Sequence, residues 1–117
     1  MKANELRIGN IVIYGGNEAV MSPAEFIHFV RFPETYKPIL ISDEWFDKFG
    51  FERCTGQYGI YYKSPFDEKV RIYQYGNEWK IGFKRGESFF TICSFIHVHK
   101  LQNFHYEFVG EELEIKF

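Results

Sequence analysis

The stretch between positions 63 and 85 contains the residue types with the clearest chemical potential. It holds six basic and three acidic residues, and tyrosines lie among the basic side chains. Basic groups can pair with phosphates and flat rings can stack on bases, and both are needed to bind single-stranded nucleic acid. The candidate nucleic-acid-binding residues are Lys69, Arg71, Tyr73, Tyr75, Lys80 and Lys84. The alternative is an ordinary solvated sheet face whose lysines maintain solubility, and the pattern alone favours that alternative.

Two strands joined by a tight turn must position these residues. Residues 69–75 and 78–84 are rich in strand-forming types, and Gly76-Asn77 between them is typical of a two-residue hairpin turn. A slip of one residue would mix the apolar and polar faces, so the sequence supports the register set by this turn. The predicted pairs are Tyr75 with Glu78, Gln74 with Trp79, Ile72 with Ile81, and Val70 with Phe83.

Further strands are predicted on both sides of this hairpin. Residues 57–63 and 87–93 have strand composition. A second two-residue turn at positions 85 and 86 would place Phe90 and Ile92 on the apolar face, beside Ile81 and Trp79. Because arginine is a weak turn residue, a bulged turn is the alternative at this point.

Strands are also predicted near both ends of the chain. Residues 7–14 and 18–21 flank a glycine-rich turn and predict a hairpin. The Gly9-Asn10 pair before an apolar run is similar to the first strand of small SH3-like barrels. Residues 111–117 alternate apolar and charged side chains, which predicts a half-buried strand added to the sheet.

Helix signals occur at three places. Ser42 can cap a short helix that ends at Gly50 and docks through its aromatic side chains. Residues 95–108 repeat apolar positions at helical spacing, which predicts a second helix with one buried stripe. Residues 22–32 are ambiguous, because their first residues resemble a capping box whereas several of the following ones are strand formers. Helix and strand both stay open there.

Catalytic and metal-binding constellations are not recognisable in the sequence. His97 and His99 would share a face in a strand but not on a helix, where two residues turn by about 200°. No carboxylate or cysteine completes a set with His105 at ligand spacing. Cys54 and Cys93 match no metal spacing, which indicates reduced thiols. The sequence therefore predicts no catalytic residue, no metal and no cofactor.

Composition sets the expected fold class. The chain has 117 residues, of which 21% are aromatic, and a formal net charge of −2. These values exclude disordered and collagen-like chains, and the global charge favours neither membrane nor nucleic acid. We expect one α+β domain, residues 1–117, with an antiparallel sheet of five to seven strands and two short helices on one face. The sheet could be partly barrel-like at the N-terminus. No apolar run approaches the roughly 20 residues that span a bilayer, so we expect a cytoplasmic protein without a membrane partner.

Three parts of the chain carry a resemblance to a known family. They are residues 1–10, residues 38–46 with 49–52, and residues 97–103 with 110–113. In these parts the chain resembles a group of small uncharacterised proteins from Bacteroidetes-type bacteria, whose genes tend to lie near phage and mobile-element genes. The resemblance implies a bacterial or phage context, and it brings no activity or site residues with it.

Three functions are compatible with these observations. The first is a non-catalytic binding or adaptor module of a phage-related or mobile-element-related family. Its partner would be another protein or a second copy of the chain, if aromatic rings of the sheet such as Tyr61, Tyr62, Tyr73 or Phe89 stay uncovered. The second is a single-stranded nucleic-acid accessory protein that uses the basic aromatic hairpin. The third, a small enzyme, has the least support.

Overall fold

The computed structural model describes residues 1, 5–56 and 59–115, which form two antiparallel sheets and three α-helices. The elements in chain order are β1 (Ile11–Tyr14), β2 (Asn17–Val20), α1 (Pro23–Arg31), a 3-10 turn (Pro33–Thr35), β3 (Tyr36–Lys37), α2 (Asp43–Lys48), β4 (Glu52–Gly56), β5 (Gly59–Lys63), β6 (Val70–Tyr75), β7 (Glu78–Arg85), β8 (Ser88–Phe95) and α3 (Val98–Val109). The α+β fold class is confirmed. Within the described ranges, no helix has the length and apolar character needed to cross a membrane.

The larger sheet is a meander in which β4 to β8 follow one another in space as they do along the chain. The predicted register of β6 against β7 is confirmed at all four pairs, from Tyr75–Glu78 to Val70–Phe83. A tight turn with Gly76 at φ 60° closes this hairpin. The basic side chains and tyrosines that alternate along the two strands (Arg71, Tyr73, Tyr75, Lys80 and Lys84) therefore lie on one face, which we call the outer face. Gln74 pairs with Trp79 on the opposite face.

The opposite, inner face of this sheet carries the main core. Ile72 and Ile81 are fully buried there against Phe46 of α2 and Leu101 of α3. The short helix α2 ends as predicted, because Gly50 adopts φ 82° and the Phe51 amide donates to the Phe46 carbonyl at 2.9 Å. The Ser42 side chain, in contrast, makes no capping hydrogen bond.

The first sheet has the order β2–β1–β3 and is separate from the meander. Residues 22–32, which the sequence left open, contain helix α1, and the Ser22 hydroxyl accepts a hydrogen bond from the Glu25 amide at 3.2 Å. Phe29 of α1 packs with Val12, Met21 and Tyr36 in a second, smaller core. The chain thus has a helix beyond the two that were expected, and it covers the smaller sheet.

The β7–β8 hairpin differs from the prediction. Its turn lies at residues 86 and 87, so that Phe83 pairs with Phe90, and Ile92 is an extra residue in a bulge opposite Ile81 and Gly82. Phe90 and Ile92 are 49% and 40% exposed, because this register carries them past the edge of the core. Their predicted place beside Trp79 and Ile81 was wrong.

Two other boundaries were also wrong. Residues 111–115 form no strand, although Leu113 is buried and its neighbours Glu112 and Glu114 are not, which explains the alternation that suggested one. Residues 116 and 117 of that predicted strand lie outside the described residues, as do 57 and 58. Strand β4 was not predicted, because three of its five residues are charged or glycine and Thr55 is its one β-branched residue.

Candidate binding face of the five-stranded sheet

The outer face is assembled from rows of residues that lie side by side across the strands. One row runs from Cys54 through Tyr61 and Tyr73 to Lys80, and a second runs from Lys63 through Arg71 to Gly82. Side chains directly opposite each other in an antiparallel pair are close enough to touch. Exposed residues at several places on this face show that it is open: Tyr75, Lys84 and Thr91.

Three rings of the outer face contact one another in sequence. The ring centroids of Tyr61 and Tyr73 are 5.3 Å apart, and those of Tyr73 and Phe89 are 4.7 Å apart with their planes at 64°. Such separations are typical of favourable aromatic pairs. We call these three residues the aromatic row, and it crosses the sheet from β5 to β8.

Gly82 makes room for one end of the aromatic row. A Cβ atom at this position would collide with the Phe90 carbonyl oxygen and lie 2.9 Å from the Phe89 ring. The ring of Phe89 therefore lies over β7 only because the residue beneath it has no side chain.

Basic side chains border the aromatic row. The Arg71 guanidinium carbon lies 4.4 Å from the centroid of the Tyr61 ring, and the Lys80 ammonium lies 5.0 Å from that of Tyr75. Both distances are those of cation–π contacts. Lys63 is held by Glu52, with its Nζ 3.3 Å from the carboxylate, and this contact raises the pKa of Lys63.

A depression of about 330 Å³ lies between the aromatic row and the β7–β8 turn. Arg71, Lys84 and Ser88 line it together with the three rings. The Nε of Arg71 is buried and has no hydrogen-bond partner among the described residues. The depression thus presents a guanidinium, an ammonium group and the Glu87 carboxylate beside three partly exposed rings.

Five of the six residues singled out from the sequence lie on the outer face: Arg71, Tyr73, Tyr75, Lys80 and Lys84. Lys69 precedes β6 and borders a different hollow, with Phe83 and Phe108 among its lining residues. Sequence reasoning did not assign Tyr61 and Phe89 to the site. The period-two alternation of β5 and β8 was the available signal, but the register of β8 was not predicted correctly.

Tyr62 lies on the inner face of β5 and is 2% exposed. Its hydroxyl donates to the Asp43 carboxylate of α2 at 2.7 Å, and burial together with that acid raises its pKa to about 12. It therefore belongs to the core rather than to the candidate site.

Two of the four histidines, His99 and His105, are enclosed by protein. His99 is 1% exposed, neither of its ring nitrogens has a hydrogen-bond partner among described residues, and burial lowers its pKa to about 4. Its ring lies 5.7 Å from that of His97, centroid to centroid. His105 contacts the Ser64 hydroxyl at 2.7 Å and the Glu111 carbonyl at 3.0 Å. In the part of the chain that the structure describes, no group of three potential metal ligands occurs.

A second polar cluster joins the start of the chain to α3. Arg7 donates to Glu112 at 2.6 Å and to Asn103 at 2.8 Å, and Asn10 also donates to Asn103 at 2.8 Å. Gln102 accepts from the Ile11 amide at 2.8 Å and donates to the Gly9 carbonyl at 3.0 Å. We call the side chains of Arg7, Asn10, Gln102, Asn103 and Glu112 the polar clamp.

The polar clamp joins residues from the two ends of the chain. Its residues come from the first and last of the three resembling segments, and their hydrogen-bonding groups are used inside the protein.

No protein-family model matches this chain, and comparisons with curated proteins and with solved structures found no significant match. The geometry of the outer face is therefore the basis for a functional proposal.

Proposed function

We propose that this protein is a non-catalytic binding module that binds single-stranded nucleic acid on the outer face of its larger sheet. The observation that carries the proposal is the aromatic row of Tyr61, Tyr73 and Phe89 with Arg71 and Lys84 at its side. Stacking on such rings contributes about 1 to 3 kcal/mol per base, with little dependence on sequence.

A single strand fits this surface better than a duplex does. Bases must be unpaired and unstacked before a protein ring can stack on them. The ring of Tyr75 is 51% exposed, so a base can reach it without a change in the backbone. The Arg71 and Lys84 side chains beside the depression supply the positive charge that phosphates require.

Fluorescence anisotropy with labelled single-stranded DNA and RNA tests the proposal. We expect the logarithm of the affinity to fall linearly with the logarithm of the salt concentration. Arg71→Gln combined with Lys84→Gln should weaken binding about tenfold, whereas Lys37→Gln on β3 should leave it unchanged. The proposal would be falsified if the double variant bound as tightly as the parent chain, or if duplex DNA bound as well as single strands.

The proposed setting follows from the sequence. We propose a cytoplasmic protein associated with a phage or a mobile element, on the resemblance of residues 1–10, 38–46 with 49–52, and 97–103 with 110–113. In such a setting, single-stranded intermediates of replication or transfer are the ligands that a surface of this chemistry would meet.

A further inference from the structure

Strand β8 forms one edge of the larger sheet, and its second edge pairs with no strand among the described residues. All eight of its residues are uncharged, and proline does not occur in it: Ser88, Phe89, Phe90, Thr91, Ile92, Cys93, Ser94 and Phe95. Soluble proteins commonly protect a long edge strand with charges or proline, because its free amide and carbonyl groups can pair with another strand. Strand β8 has a bulge at Ile92, and directly beyond its last residue the 39–41 segment pairs with residues 96–98. The first half of β8 has neither protection.

Exposed apolar side chains lie beside this edge. Phe90 is 49% exposed and its ring centroid is 6.0 Å from that of Phe83, which is 39% exposed. Ile92 and Phe108 are each 40% exposed and line a hollow together with Phe83. The free strand edge and this apolar patch form one continuous surface on the inner side of the sheet.

Opposite charges lie near the two ends of β8. Arg85 is exposed and pairs with Ser88, where β8 begins. Glu107 of α3 directly precedes Phe108, which lines a hollow together with Ile92 of the second half of the strand. Burial raises the pKa of the Cys93 thiol to about 11, and the Glu107 carboxylate adds to this shift. A twofold rotation about Phe90 would bring the start of β8 in one copy toward the second half of β8 in the other, so that Arg85 of one copy would approach Glu107 of the other.

We propose that β8 pairs antiparallel with β8 of a second copy of this chain, around a twofold axis near Phe90. A twofold contact uses the same patch on both copies and must be complementary to itself. Strand β8 meets this condition for two reasons. It contains no charged residue, so pairing it with a copy of itself never places two like charges opposite each other, and the Arg85 and Glu107 charges complement each other across the axis. The two Phe90 rings become buried against each other, and the two meanders join into one continuous sheet.

The bulge at Ile92 limits the pairing to part of the strand. Residues 88–91 precede the bulge and keep a regular ladder with β7, whereas Ile92 has no partner on that strand. We therefore place the intermolecular ladder over the first half of β8. This short ladder predicts a dimer that dissociates on dilution, because only the Phe83 and Phe90 side chains add apolar area to it.

Light scattering coupled to size-exclusion chromatography of the full chain tests the dimer. The expected mass rises from 14.0 kDa toward twice that value as the concentration increases. Phe90→Lys should hold the chain at the monomer mass, because it places two ammonium groups opposite each other in the pair. Lys37→Glu, which changes a charge on β3, is the matched control and should dimerise like the parent.

Charge reversal gives a second test that does not depend on Phe90. Arg85→Glu should weaken dimerisation about tenfold, and Arg85→Glu together with Glu107→Arg should restore it. A monomer mass at every concentration would overturn the proposal. Dimerisation of the Phe90→Lys variant at the parent concentration would overturn it too, as would a double reversal no better than the single one. None of these outcomes bears on nucleic-acid binding, because Phe90, Arg85 and Glu107 lie outside the depression.

Discussion

Two arginines of this protein occupy nearly the same local geometry and have different surroundings. The guanidinium carbon of Arg7 lies 4.5 Å from the ring centroid of Tyr106, and that of Arg71 lies 4.4 Å from the ring centroid of Tyr61. Arg7 uses its three nitrogens for hydrogen bonds within the polar clamp. The Nε of Arg71 has no such partner in the described part of the chain. A cation–π contact therefore does not by itself show whether an arginine is structural or functional. What distinguishes the two is whether its guanidinium N–H groups are already used in hydrogen bonds within the protein.

The largest effect on stability should come from replacing Gln102, which is 1% exposed. Its side-chain amide accepts a hydrogen bond from the Ile11 backbone N–H and donates one to the Gly9 carbonyl. Gln102→Ala leaves two backbone groups without partners and should lower the free energy of unfolding by about 3 kcal/mol. Urea unfolding followed by circular dichroism measures this, with Gln74→Ala on the exposed end of β6 as the control. Equal losses for the two variants would remove the structural role that we assign to the polar clamp.

Acid should destabilise the protein through the buried His99 of α3. Burial lowers the pKa of His99 from its usual 6.5 to about 4, and the neighbouring charges are those of Glu5, His97 and Lys100. Because the folded state favours the neutral ring, its stabilisation is complete above pH 6.5 and is lost as the pH falls from 6.5 toward 4. Each unit of pKa difference corresponds to about 1.4 kcal/mol.

Unfolding measured at several pH values, for the parent and for His99→Phe, checks this expectation. The variant should have a flatter profile between pH 6.5 and 4, although burial also lowers the pKa of His105, whose contribution remains. Identical slopes for both proteins would show that His99 is not the group that titrates.

A methyl group at position 82 should damage the outer face selectively. Gly82→Ala forces its Cβ against the Phe90 carbonyl and the Phe89 ring, which should cost about 2 kcal/mol of stability and displace one end of the aromatic row. Oligonucleotide affinity should fall in the folded variant. If the Gly82→Ala variant is fully folded and binds oligonucleotides as tightly as the parent chain, the Phe89 ring takes no part in binding.

The smallest effect on stability, and the sharpest test of the comparison, comes from making the same change at both arginines. Arg7→Gln should lower the free energy of unfolding by about 1 kcal/mol and leave nucleic-acid affinity unchanged. Arg71→Gln should change stability by less than about 0.5 kcal/mol and reduce affinity severalfold. If both variants lose stability alike and neither loses affinity, the two arginines have the same structural role.

The parts of the fold that the sequence predicted are those set by neighbouring residues. The β6–β7 register follows from the Gly76 turn and the alternation around it, and the end of α2 follows from Gly50. Helix α3 was predicted from its apolar spacing, but the burial of His99 and Gln102 was not, because it depends on partners more than 90 positions away. The bulge at Ile92 also escaped prediction, since it results from packing of β8 against β7. For the candidate site, the tyrosines and cations of β6 and β7 were identified, whereas Tyr61 and Phe89 needed the three-dimensional register.

The span of the polar clamp along the chain has a consequence for the order of folding. Arg7 and Glu112 are 105 positions apart, whereas the β6 and β7 partners meet across a two-residue turn. Contacts between distant positions require more loop-closure entropy and usually form late. The meander is thus expected to assemble in the transition state and the clamp to close after it, so loss of the clamp should accelerate unfolding while leaving the refolding rate nearly unchanged.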